Sequence, residues 1–201
     1  MLSLVFAVAA YWTVHIDFPS NRSEFERIDG QFNATIRDFY SAHNMPAPPV
    51  WHLVTADGAY IGLHPRGTMT DVATPQLPPD LSKELQAKTA PISAATHKIL
   101  RAHHSELWHV EPDLTTTDTP KKYALMRTDV VDPPRDDDYE RAMKDLVKEL
   151  ASDGIDTIGF FSSYGDGAYH YIFSCDKPFK VRSLKGFGST RDFAVTSLDT
   201  R

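Results

Sequence analysis

The sequence holds one cysteine, Cys175, so no intrachain disulfide and no cysteine-built zinc site can form. That suits a reducing cytoplasm and equally a bacterial secreted protein without disulfides, so the compartment stays open. No apolar run reaches the ~20 residues of a membrane-spanning helix. No cluster of five or more Lys and Arg occurs, and the formal charge of −6 has the wrong sign for a nucleic-acid face. There is no G-x-S-x-G, which argues against a nucleophile-elbow hydrolase, and no H-E-x-x-H. Gly186-x-Gly188-Ser189-Thr190 lacks the strand-to-helix setting and the lysine of a phosphate loop and reads as a turn in the tail. Nothing in the sequence points to a cofactor. Hydrophobic residues at 41% and charged residues at 24% are ordinary globular values, which excludes disorder as a class.

What is present is a repeat. Asp57-Gly58-Ala59-Tyr60 recurs as Asp166-Gly167-Ala168-Tyr169, 109 residues later. Each copy lies between two apolar runs, Val50 to Val54 with Tyr60 to Leu63, and Ile155 to Phe161 with Tyr169 to Phe173. Asp-Gly between β-prone runs is the strongest short hairpin signal, because glycine adopts the positive φ of the turn without steric cost. A second match lies upstream of each turn, Phe25-Glu26-Arg27 against Tyr139-Glu140-Arg141, offset by 114. Two matches in the same order predict a duplicated unit.

The elements around these marks follow from periodicity. Trp12 to Phe18 alternates as a half-buried strand. Asn21 or Ser23 caps a helix to about His43, with Phe25, Ile28, Phe32, Ile36, Phe39 and Tyr40 on one face. Residues 64–79 read as a long loop. A helical region then starts at Asp80 or Ser82, is broken or kinked at Pro91, and runs to about Leu107, before a short strand from Trp108 to Val110. Residues 111–120 are polar and rich in threonine, and 113–120 are the expected linker. Tyr123 to Val131 is a strand. Asp136 to Asp138 open a helix that Gly154 closes. Ala194 to Leu198 reads as a last edge strand. The apolar residues 1–10 are either the start of the first strand or the remnant of a secretion signal.

Strand, helix, hairpin, helix is the ferredoxin-like order, and a sheet with helices on one face must bury the other. The two halves, 11–112 and 121–201, therefore predict an α+β fold in which two ferredoxin-like β-α-β-β units pack as an intramolecular barrel. This order, with its internal repeat, resembles the tandem form of the dimeric α/β-barrel superfamily. The resemblance implies a class that includes monooxygenases, haem proteins and members of unknown role. It implies no functional residue, since no family motif is matched.

The candidate ligand site is His15, Asp17, Tyr60, His64, Arg127 and Tyr169. If the aliphatic face of the first strand packs on helices, His15 and Asp17 point between the sheets, as does Arg127 from the matching strand. A His, a carboxylate and an Arg converging there would form a polar pocket for a small acidic or oxygen-rich molecule. Tyr60 and Tyr169 occupy matched places after the turns, with His64 further along. His103, His104 and His109 with Glu106 and Glu111 read as solvated polar residues at a helix end, not as a metal site. Three functional classes follow: a small-molecule-binding protein, a non-catalytic interaction module, and a haem-binding or oxygen-using enzyme.

Overall fold

In the computed structural model, residues 10–73, 77–133, 135–164 and 167–200 are described. Most of the apolar N-terminal stretch and Asp166 of the second turn lie outside them. The chain runs β1 (Tyr11–Pro19), α1 (Arg22–Ala42), β2 (Trp51–Thr55), β3 (Tyr60–Gly67), α2 (Met69–Ala73), α3 (Pro79–Ile99) and β4 (Leu100–Val110). A 3-10 turn, Pro112–Leu114, leads to β5 (Tyr123–Val131), α4 (Asp136–Ser152), β6 (Asp156–Tyr164), β7 (Tyr169–Cys175) and β8 (Gly188–Thr200).

Local chemistry explains the main boundaries. The Asn21 side chain accepts from the Glu24 amide (3.1 Å) and caps α1. Three aspartates, Asp136, Asp137 and Asp138, occupy the first turn of α4, where the helix dipole favours negative charge. Gly154 follows that helix at φ 77°, and Gly58 in the first hairpin turn takes φ 88°.

The eight strands of the described residues pair antiparallel and close into one barrel in the order β1-β3-β2-β8-β5-β7-β6-β4. Followed from β4, the order is β4-β1-β3-β2 and then β8-β5-β7-β6. Each half thus lays down its fourth, first, third and second strands side by side. The fold is the expected α+β architecture, two ferredoxin-like halves joined as an intramolecular barrel.

Closure settles which strand face is inside. Trp12, Val14, Leu53, Ile61, Leu63, Trp108, Val110, Met126, Ile158, Phe160 and Ile172, drawn from both halves, form a single buried cluster. The aliphatic face of β1 therefore fills the barrel, and His15 and Asp17 face outward toward the helices. This reverses the expectation that the polar residues of β1 look into the space between sheets. A closed barrel has one shared apolar interior, and desolvating unpaired polar groups there would be costly.

Four further expectations are corrected. The stretch after Leu63 is not all loop, since β3 continues to Gly67 and α2 follows. Pro91 does not break the second helix; α3 is continuous, and Pro91 is exposed on it. Residues 100–107 are strand rather than helix, so His103, His104 and His109 all lie on β4. The final strand is no edge, because β8 pairs with β2 on one side and β5 on the other. Pairing across the barrel seams outweighs the helical spacing read from residues 100–107.

The segment between the halves is held against β6. Leu114 is buried, Thr116 donates its amide to the Thr157 carbonyl (2.8 Å), and Thr115 donates its hydroxyl to Glu111 (2.9 Å). Gly159 makes room for this segment: a Cβ there would sit 2.8 Å from the Leu114 Cβ.

Candidate functional site

A cavity of about 520 Å³ lies between the outer face of the first-half strands and helices α1 and α3. Strand register builds its floor. His15 pairs with Gly62, and Asp17 with Tyr60, across β1 and β3. His52 of β2 pairs with Gly62 from the other side, and Asp17 pairs with His103 of β4. Alternation then sets His15, Asp17, Tyr60, His64, His52 and His103 on one face under the helices. The roof is mixed, with Phe32, Ile36 and Leu85 giving apolar surface and Asp29, Arg37 and Tyr40 giving polar tips. No residue of α3 is fully buried, as suits a helix lying over a hollow rather than a filled core.

Four of the six expected site residues, His15, Asp17, Tyr60 and His64, line this one cavity. Arg127 and Tyr169 do not. They occupy the equivalent outer face of the second half, which is filled. Arg127 is fully buried, donates to Asp192 through Nε (2.6 Å) and Nη2 (2.9 Å), and donates to the Val181 and Arg182 carbonyls. Tyr169 donates to Glu140 (2.8 Å) and stacks at a tilt on Tyr139, 5.0 Å between ring centres.

The matched letters of the repeat turn out to be one contact made twice. Tyr60 donates to Glu26 (2.6 Å) and packs on Phe25 at 4.5 Å. In the second half Tyr169, Glu140 and Tyr139 do the same. Tyr60 therefore joins the cavity wall to α1, and burial and the Glu26 carboxylate push its hydroxyl up to about 12.

The imidazoles are packed closely. His15 and His64 meet edge to face at 5.1 Å, and His15 and His103 stack at 5.8 Å. Burial lowers the pKa of His15, and His103 and Arg66 add to this while Asp17 opposes it. His64 is pushed down to about 3 by burial first, then by His15, Arg66 and His52. His64 therefore stays neutral throughout the physiological range. The His103 ring lies 2.6 Å through Nδ1 from Asp17 Oδ1 and 3.4 Å through Nε2 from Ser105 Oγ. His15 Nδ1 lies 2.7 Å from the same hydroxyl.

Among the described residues no group of three or more His, Cys, Asp and Glu side chains is arranged to hold a metal ion. A haem would need an axial nitrogen. Two of the cavity imidazoles, His15 and His103, already spend ring nitrogens on Ser105 and Asp17.

Sequence reasoning missed His52, His103, Arg37 and Arg66. His103 escaped because residues 100–107 looked helical, which hid its place across from Asp17. Periodicity on α1 marked Phe32 and Ile36 as apolar but could not show that the space beneath them is hollow.

No protein-family model matches the chain, and no curated protein matches its sequence. The fold does match solved structures. A candidate monooxygenase from Lactobacillus acidophilus NCFM superposes with a TM-score of 0.55 at 10% identity, over 94% of this chain and 95% of the other. Another, from Fusobacterium nucleatum, gives 0.56 at 11% identity, over 96% and 95%. An anthrone oxidase-like protein gives 0.54 at 7% identity, over 96% and 93%. This chain shares their α/β-barrel fold. At these identities the likeness carries the fold alone. No helix among the described residues is long and apolar enough to cross a membrane.

Proposed function

We propose that the protein binds a small organic molecule in the first-half cavity, beneath α1 and α3, and that this molecule pairs an apolar body with an ionisable oxygen. One observation carries the reading. The same position on the third strand of each half is Gly62 over the hollow and Tyr171 in the filled half. A well-formed cavity with apolar walls and few convergent polar groups is the usual form of a small-molecule site. Phe32, Ile36 and Leu85 suit the body, and neutral His64 with Arg37 and Arg66 suits the oxygen. The two halves are then copies of one unit, of which the first holds the cavity.

Oxidation is the turnover to look for, since the three structural neighbours are described as monooxygenase or oxidase-like proteins. A non-catalytic module is the competing reading, and it keeps the cavity without turnover. A panel of phenols, enols and aromatic acids separates them. Ligand-dependent thermal shifts that vanish in Gly62→Phe, with oxygen uptake in the wild type, support an enzyme. Shifts without oxygen uptake support a binding module. No shift with any member of the panel removes the proposal.

A further inference from the structure

Beside the cavity, four side chains from two paired strands form an unbroken chain of hydrogen-bonding atoms. Asp17 Oδ1 lies 2.6 Å from His103 Nδ1, His103 Nε2 lies 3.4 Å from Ser105 Oγ, and Ser105 Oγ lies 2.7 Å from His15 Nδ1. Register produces this order, because Asp17 is paired with His103 and His15 with Ser105 across β1 and β4. Both rings line the cavity, and the far one is the wetter: the side chain of His103 is 39% exposed, whereas His15 is half-buried.

Donor and acceptor rules allow this chain two states with the same heavy-atom positions. In the first, Asp17 is ionised and accepts from His103 Nδ1–H. His103 Nε2 then accepts the Ser105 hydroxyl proton, and Ser105 accepts from His15 Nδ1–H. His15 is thereby held with Nε2 unprotonated. In the second, a proton has entered at His15 Nε2. The Nδ1 proton has moved to Ser105, the Ser105 proton has moved to His103 Nε2, and the positive charge rests on His103 beside Asp17. One proton enters at His15, His15 and Ser105 each pass one on, His103 keeps the one it receives, Asp17 stays ionised, and no bond other than O–H and N–H changes.

We infer that His15, Ser105, His103 and Asp17 form a proton relay, so that the ligands of this cavity are weak acids, phenols or enols, bound as their anions. The inference rests on the cavity being the ligand site. The receding proton leaves His15 neutral, and the anion stays among side chains of suitable sign. From β3, His64 and Arg66 face His15, from β4 His103 does, and Asp17 is its neighbour on β1. From the helices and β2, the other ionisable groups of the cavity are Asp29, Arg37, Tyr40, His97 and His52. Burial disfavours a charge held on His15 itself, so the relay moves that charge to a more solvated ring. Ser105 is the positioning residue, His103 receives the charge, and His15 is the group that takes the proton of the ligand.

Nitrogen NMR of the histidine rings tests the relay in the free protein and with p-nitrophenol as probe. In the free protein at neutral pH, His15 is expected as the Nδ1–H tautomer. Finding His15 protonated at Nε2 instead overturns the relay without reference to any ligand. At a pH where free p-nitrophenol is mostly protonated, the bound probe is expected to show phenolate absorbance. The accompanying imidazolium signal should appear at His103 and not at His15. Ser105→Ala should abolish the His103 imidazolium signal on binding, and Ser105→Thr should restore it. An unchanged His103 signal in Ser105→Ala overturns the relay, as does probe that binds by equilibrium dialysis but stays protonated. No binding at all defeats the cavity reading and the ligand class, while the tautomers of the free protein still decide the relay. If p-nitrophenyl acetate gives a burst that Ser105→Ala abolishes, Ser105 is a nucleophile and the relay is wrong.

Discussion

The two halves share a skeleton and differ in what fills the space under their helices. The first strand of one carries His15 where the other carries Arg127, and the fourth carries Ser105 where the other carries Asp192. On the third strand Gly62 and His64 stand where Tyr171 and Phe173 do. At the 114-residue helix offset, Asp29 and Asn33 of α1 match Met143 and Val147 of α4. Each exchange makes the second half larger or more apolar, apart from the ion pair in which buried Arg127 meets the exposed carboxylate of Asp192. The second half is therefore packed to the density of an interior, with Tyr139, Met143, Leu146, Val147 and Leu150 of α4 all buried. The first keeps a hollow of about 520 Å³ under the same frame. One half serves as the stable partner that lets the other remain open.

Opening the filled half breaks the comparison most directly and has the largest expected effect. Tyr171→Ala removes a fully buried ring that meets Phe173 at 5.6 Å and hydrogen-bonds with Tyr139 (3.1 Å). Large-to-small changes of this kind cost ~3–5 kcal/mol. The urea midpoint should fall accordingly, and a change of less than ~1 kcal/mol would show the second half to be loosely packed. The reciprocal change, Gly62→Phe, should leave the barrel folded, since Gly62 does not occupy a positive φ. A Cβ there lies 3.3 Å from His64 Nε2 and points the new ring at the cavity. Ligand-dependent thermal shifts should be lost, at a stability cost of ~1–3 kcal/mol for overpacking.

Acid should also separate the halves. His64 is held down to about 3 in the folded protein against 6.5 as its ordinary value, so between these pH values the unfolded chain binds the extra proton. Stability from this residue is complete above pH 6.5 and declines as pH falls toward 3. At about 1.4 kcal/mol per pKa unit, the loss by pH 4 is on the order of 3 kcal/mol. His64→Phe, which installs the second half's residue, should flatten the slope of stability against pH in that window. An unchanged slope would place the acid sensitivity elsewhere in the molecule.

Much of the frame was legible in the sequence because it depends on local signals. The cap of α1, the acidic first turn of α4, the first Asp-Gly turn and the alternation of β1 and β5 are set within a few residues of chain. The barrel seams were not legible. Helix-like spacing in residues 100–107 and the modest apolar content of 188–193 both yield to pairing with strands far away in sequence. That pairing also decides the site. His15 and Asp17 were recognisable as a polar face, but which way the face turns depends on closure. Arg127 was grouped with them because its strand position matches that of His15. The match is correct, and it places Arg127 on the outer face of the other half instead of in a common pocket.

The contact that the halves share offers the smallest and most symmetric test. Tyr60 donates to Glu26 and Tyr169 to Glu140, at 2.6 and 2.8 Å, and each ring leans on the aromatic residue one position before its glutamate. Removing one hydroxyl with the ring kept costs a single hydrogen bond, on the order of 1 kcal/mol. Tyr60→Phe and Tyr169→Phe should therefore shift the urea midpoint by similar amounts. The difference should lie in binding. Tyr60 also lines the cavity, so Tyr60→Phe should weaken ligand-dependent thermal shifts, whereas Tyr169→Phe should leave them alone. Equal stability effects with unequal binding effects would mean that the repeated contact is structural in both halves. The cavity would then be an addition to the first half, made by small and polar residues around an unchanged strut. Equal losses of binding would mean instead that the two struts set the shape of the barrel together, and that the filled half helps to shape the open one.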